Sequence, residues 1–375
     1  MRQQTTRKSI MNRLSNYAQG RNNNFNLIRI IAALAVLVSH GVTLAPVSGN
    51  AELLRESIGM TPGGIAVDIF FITSGFLVTA SLLNRSSFVE FVWARTLRIY
   101  PGLIVMLLLT VFVLGPLLTS YSLSEYFLTR ETYTYFARCS TIFTKIANQL
   151  PGVFNDNPVH NVNASLWTLP YEVRMYAVLA AVWLATKLLP GNRLKALKIL
   201  IIFFVVLSAV YAFSDHFLAP TRQARLPFMF FTGSAFYVLK HRIRIYNWLF
   251  WVFLSAVIFS AHDKDLFYVV YSLSLAYIVF FIAYIPSGFI RRYNSLGDYS
   301  YGVYIYAWPV QQSIATLIPD ISIINMILTS ASVTMLISMA SWHLIEKNAL
   351  KLKVFSAGNI KIIDNEPLKR TTRLN

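Results

Sequence analysis

Ten stretches of this chain are apolar for most of a membrane thickness, and short segments rich in Lys, Arg, Asn and Pro separate them. With a requirement of about 20 apolar residues per crossing, the pattern predicts helices over 26–45, 65–83, 102–118, 166–186, 199–213, 224–239, 248–261, 266–285, 300–318 and 323–345. The fifth and seventh are the shortest. The expected fold is all-α: a polytopic membrane bundle of about ten helices over residues 25–347, with polar tails at 1–24 and 348–375. One connection, 119–165, is far longer than the others, and its end, LPGVFNDNPVHNVNASLW, is rich in Asn, Pro and Gly. Loops of this kind serve as lids and binding surfaces; the plain alternative is a spacer.

Composition agrees with the pattern. Hydrophobic residues make up 55% of the chain and charged residues 13%, a balance a soluble domain of this size does not solvate. The net charge of +17 reads as topology once the cations are placed. If both termini are cytoplasmic, 25 of the 33 Lys and Arg fall on the cytoplasmic side, as the positive-inside rule requires. The cations are dispersed among loops and tails, which argues against nucleic acid as a partner. The polar stretch before residue 26 and the length of the first apolar run argue against a cleaved signal peptide, and both tails are expected to be largely disordered or interfacial. Cys139 is the single cysteine, so no internal disulfide forms, and it lacks the basic neighbours that activate a thiol.

No metal-ligand spacing, nucleophile elbow or phosphate loop occurs, so the candidate chemistry lies among polar residues at membrane depth, where charges are costly and tend to be functional. Of the 16 acidic residues, only Asp68 and Glu172 fall inside the expected spans. Asp68, Glu172 and His40, on three different helices, are expected to share one depth beneath the outer surface. A histidine beside a carboxylate suits general-base work. Arg29 and His40 are eleven residues apart, which places them on one helix face about 16 Å apart along the axis; the plain alternative is a snorkelling arginine and a packed histidine. Arg95 and Arg98, three residues apart in FVWARTLRIYPG, lie where Pro101 is expected to open the third span. They suit bidentate phosphate binding, with positive-inside anchoring as the alternative.

The blocks NFNLIRIIAALAVLVSH, GGIAVDIFFITSGFLVT, FVWARTLRIYPG, LPGVFNDNPVHNVNASLWTLPYEVRMY, LGDYSYGVYIYAWPVQQ and SWHLIEKNALK, in this order, resemble the acyltransferase 3 family of bacterial membrane O-acyltransferases. The resemblance spans roughly 24–351. It implies transfer of an acyl group, usually acetyl from acetyl-CoA, to a hydroxyl of a glycan in the cell envelope, with the protein in the bacterial inner membrane. By position it implies His40 as catalytic base, Arg29, Arg95 and Arg98 at the donor, and Glu172 as the family's acidic residue, preceded by Ser165 and Trp167. Ser74 and Tyr171 are expected near substrate as oxyanion donors, and Asp68 joins His40 on depth alone. No cofactor is expected to stay bound. The closing block reads IEKN without the family's usual proline. The rival class is a proton-coupled transporter or flippase of a glycan or lipid-linked precursor, which requires no phosphate clamp.

Overall fold

The computed structural model describes residues 12–20, 22–45, 52–85, 87–143, 145–218 and 220–355, and among them every regular element is helical. The expectation for the C-terminal tail falls mostly outside these residues, as does that for the first eleven. We label the main helices α1 (Phe25–Leu44), α2 (Pro62–Leu83), α3 (Phe88–Leu109), α4 (Arg130–Thr141), α5 (Leu169–Ala185), α6 (Arg193–Leu218), α7 (Arg225–Val238), α8 (Asn247–Ser260), α9 (Lys264–Tyr284), α10 (Ser300–Leu317) and α11 (Ile323–Ser341). Six are long and apolar enough to cross a membrane: α1, α2, α3 extended to Leu118, α6, α9, and α11 extended to Lys351. The other expected spans are helical but shorter, or, in α10, interrupted by Tyr, Gln and Pro309. The protein is therefore a helical multi-pass membrane protein.

Local chemistry sets the helix starts. The hydroxyls of Thr61, Ser87 and Ser322 accept the backbone N–H groups of Gly64, Glu90 and Asn325, satisfying donors that a helix leaves free at its first turn. Ser87 and Glu90 carry the spacing of a capping box, so α3 begins at Phe88, well before the expected 102. Pro101 is consequently interior to α3, and Arg95 and Arg98 are helical residues within the bundle. Likewise α6 runs for 26 residues, because the polar flanks of its apolar run continue as helix.

Burial sorts the helices. In their most apolar windows α2 and α9 are 61% and 67% buried, whereas α6 and α11 are 22% buried and form the periphery. Apolar burial drives little helix association in lipid, where close backbone packing and polar contacts decide. The closest crossing is α2 on α7: a Cβ on Gly75 would lie 1.9 Å from the Phe230 carbonyl oxygen, and one on Gly233 would lie 2.0 Å from that of Ile72. Gly75→Ala should therefore force the two helices apart at a cost of about 1–3 kcal/mol, read as a lower thermal midpoint of the detergent-solubilised protein.

The N-terminal tail is more ordered than expected. Residues 12–15 bond through their backbone to Lys240, Ile243 and Ile245, and Leu14 is fully buried. Leu14, with Tyr17 and Ala18 packed against the same core, is too short an apolar signal to show a periodicity, yet suffices to anchor this stretch.

Candidate active site

Three arginines from two helices meet at one end of the bundle. Arg29 comes from the first turns of α1 and Arg98 from α3; both donate to the same Asp298 oxygen, at 2.6 and 2.5 Å. Asp298 stands just before α10, is 8% exposed and accepts the Ser300 hydroxyl on its other oxygen at 2.5 Å. Burial pushes this carboxyl up, but the two guanidinium groups outweigh it and hold it at about 2, so it is ionised at any pH at which the protein works. Arg95, one turn before Arg98, makes no direct ion pair among the described residues, although Glu172 lies within electrostatic reach. Its Nη2 reaches the Ser81 hydroxyl at 3.4 Å, and its Nε is buried without a partner. It is the least satisfied of the three cations.

These arginines line a cavity of about 780 Å³ counted out to its mouth. Glu172 and Ser74 face into the same space. Ser74 donates to Glu172 at 3.2 Å and pairs with the Tyr176 hydroxyl at 2.9 Å, and Tyr176 itself donates to Glu172. Five residues singled out in the sequence, Arg29, Ser74, Arg95, Arg98 and Glu172, thus share one cavity. Phe70 and Tyr304 also line the cavity and meet edge to face at 5.6 Å; the Arg29 guanidinium lies over the Phe70 ring at 5.9 Å, and Thr168 bonds Tyr304 at 2.6 Å. We call Phe70, Tyr304 and Thr168 the neck.

The shared depth expected for His40, Asp68 and Glu172 is not what the fold builds. Glu172 lies with the arginines because the chain before α5 does not stay outside the bundle. From residue 157 it descends as an irregular, bent chain along α10: Asn157 donates to the Gln312 carbonyl, Gln312 to the carbonyls of Val159 and Asn161, Trp308 to that of Asn161, and Asn163 to the Ile305 carbonyl. Contacts from Thr316 down to Tyr304 span about 18 Å of helix, so α5 starts deep within the protein. Non-helical backbone is tolerated at membrane depth only when enclosed by protein that satisfies it, and Gln312, Trp308 and Asn163 do so. Asn163, which opens an Asn-Ala-Ser stretch of the kind that accepts glycans, is 1% exposed and bonded internally.

Asp68 does not meet His40 either. Both its oxygens accept from Nε of Arg225, at 2.8 and 2.7 Å, and one also accepts the Tyr271 hydroxyl at 3.0 Å. Arg225, at the start of the expected span 224–239, opens α7 and neutralises Asp68 within the packing of α2, α7 and α9. Breaking a buried pair strands a charge at a cost of about 3–5 kcal/mol. Arg225→Leu should therefore lower the thermal midpoint sharply, and Asp68→Leu in the same chain should restore part of the loss.

His40 stands on α1 about 16 Å beyond Arg29. It does not line the arginine cavity. Its ring meets Trp308 edge to face at 4.7 Å and 81°, and Trp308 is one turn of α10, about 6 Å, past Tyr304 at the neck. His40 Nδ1 is buried with no partner. Ser165 is buried with its hydroxyl unpartnered, while Trp167 and Tyr171 pack on each other at 5.9 Å; none of the three lines the cavity. Cys139 is buried and its thiol is pushed up to about 12 by burial, which leaves it inert as a nucleophile.

Sequence reasoning missed Asp298, Tyr176 and Glu346. Asp298 reads as a loop acid, although it sits in the block LGDYSYG. Glu346 is 2% exposed and within electrostatic reach of Arg98, but its position just past an apolar run marks it as interfacial. Among the described residues no group of three metal-ligating side chains forms.

The profile of the acyltransferase 3 family, described as an acyltransferase domain, matches residues 22–343. An O-acetyl transferase of Shigella phage Sf6 is 32% identical over 346 residues, 88% of this chain and 96% of the relative. Nodulation protein 10 of Rhizobium leguminosarum bv. viciae is 31% identical over 169 residues, 44% of each chain. No solved structure matches the chain significantly.

Proposed function

Because the chain belongs to the acyltransferase 3 family, we propose that it is a membrane O-acyltransferase that moves an acetyl group from acetyl-CoA to a hydroxyl of a cell-surface glycan, such as an exopolysaccharide, an O-antigen or a lipid-linked oligosaccharide. In this reading the protein sits in a bacterial inner membrane, with the end bearing Arg29, Arg95 and Arg98 in the cytoplasm. The observation that carries it is the cavity itself, in which three permanent cations converge while one of them, Arg95, is in direct contact with no carboxylate among the described residues.

The donor enters there. Arg95 takes donor phosphate directly, and Arg29 and Arg98, held in place by Asp298, widen the positive field. The donor's thioester arm runs past Ser74 and Glu172, through the neck at Phe70 and Tyr304, toward His40. His40 removes the acceptor's hydroxyl proton, the oxygen attacks the thioester carbonyl carbon, and the C–S bond breaks to release CoA as its thiol. Positioning both substrates supplies part of the rate, and the base supplies the rest. A transporter would account for the spans but gives no role to three arginines gathered in one cavity, one of them without a direct ion pair among the described residues.

The test compares surface glycan from a deletion strain and its complemented parent by proton NMR and mass spectrometry. Base-labile acetyl esters present only in the complemented strain are expected. Identical glycans, with the protein present in the membrane, would overturn the reading.

A further inference from the structure

We propose that Trp308 is a positioning residue for His40, locked by the descending segment 157–163. The inference rests on His40 being the base of the proposed reaction.

A histidine that works as a base usually has its second ring nitrogen held by a carboxylate or carbonyl, which fixes tautomer and orientation. His40 has no such partner: Nδ1 is buried and unbonded, Asp68 is taken by Arg225 and Tyr271, and Glu172 by Ser74 and Tyr176. Among the described residues the aromatic ring against it is the Trp308 indole, at 4.7 Å and 81°. An indole can set the orientation of a neighbouring imidazole only if it is itself fixed. Trp308 is 6% exposed, and its Nε1 donates to the Asn161 carbonyl at 2.7 Å. That carbonyl also accepts from Gln312 Nε2 at 2.7 Å, and Gln312 in turn holds the Val159 carbonyl and is bonded by Asn157. The chain of contacts runs from the segment to the indole and from the indole to the imidazole. Part of the long connection thus serves the base from within the bundle, besides whatever it does at the surface.

The experiment measures CoA release from acetyl-CoA in membranes of a deletion strain, which carry its own unacetylated glycan, with the full-length variants expressed at matched levels. Trp308→Leu removes the ring. It should lower kcat roughly 10- to 100-fold, the scale of a misplaced catalytic group, with KM for acetyl-CoA changed less than about twofold. Trp308→Phe keeps a ring but loses the Nε1 bond to Asn161, and should fall between Trp308→Leu and wild type. Gln312→Met keeps both rings but releases the segment, and should lower kcat severalfold at unchanged KM; it decides the matter if Trp308→Leu fails to accumulate. Wild-type kcat in Trp308→Leu or in Gln312→Met would overturn the proposal, as would Trp308→Phe matching wild type. The controls separate this from the function itself. If His40→Ala remains fully active, the base assignment has failed; if His40→Ala is inactive while Trp308→Leu is normal, only the positioning role has failed.

Discussion

His40→Ala should lower acyl transfer about 10²- to 10⁴-fold, the range that general-base catalysis contributes, while leaving membrane abundance and KM for acetyl-CoA near wild type. The separation of the ring from the cation cluster predicts this pattern. His40 lies about 16 Å from Arg29 along α1 and lines no part of the arginine cavity, so its loss leaves donor binding untouched and removes only an interaction made as the acceptor reacts. Steady-state kinetics on acetyl-CoA with the glycan of a deletion strain provides the check. A drop in kcat/KM that came entirely from KM would place His40 in donor binding instead.

Arg95→Ala should do the reverse. Arg95 has the Ser81 hydroxyl at 3.4 Å and a buried Nε without a partner, so in the donor complex it gains charge-assisted bonds that the resting protein does not supply. Such bonds are worth about 1.5–3 kcal/mol each, which predicts KM for acetyl-CoA raised about 10- to 100-fold with kcat little changed. Arg95→Lys keeps the charge but loses the planar fork and should fall between. Arg98→Ala is expected to cost stability as well, because Asp298 would keep only Arg29 and Ser300. Arg95 is therefore the cleaner probe of donor binding. An Arg95→Ala variant with unchanged KM would show that the cavity does not take the donor's phosphates.

What could be read from the sequence divides along physical lines. Helix existence follows from apolar runs, and the long helices α1, α2, α6, α9 and α11 lie where the hydropathy places them. Their ends depend on caps and on polar residues that continue as helix, which is why α3 begins at Ser87 and Phe88 instead of at Pro101. Arg29, Arg95 and Arg98 stand out because cations in or beside apolar runs are costly, whichever way they pack. Depth was harder to read. The stretch 157–165 reads as an external loop because it is polar and irregular, and only its donors on α10, especially Gln312 and Trp308, make it stable inside the bundle. That one segment moves Glu172 from the expected level of His40 to the level of Arg95. Asp68 shows the same difficulty from the other side: its partner Arg225 is 157 residues away, and nothing local in either sequence announces the pair. Asp298 needed three elements to converge before its role could be seen.

The central claim is that a donor anchored by Arg95, Arg98 and Arg29 presents its acyl carbon to His40 beyond the neck at Phe70 and Tyr304. Bromoacetyl-CoA, whose alkylating carbon stands where the acetyl group would, tests this on the full-length protein in membranes, with peptide mass spectrometry locating the adduct. The account predicts carboxymethyl-type modification of His40 that excess acetyl-CoA suppresses and Arg95→Ala abolishes at low reagent concentration. Protectable labelling confined to residues of the arginine cavity, with His40 unmodified, would contradict it.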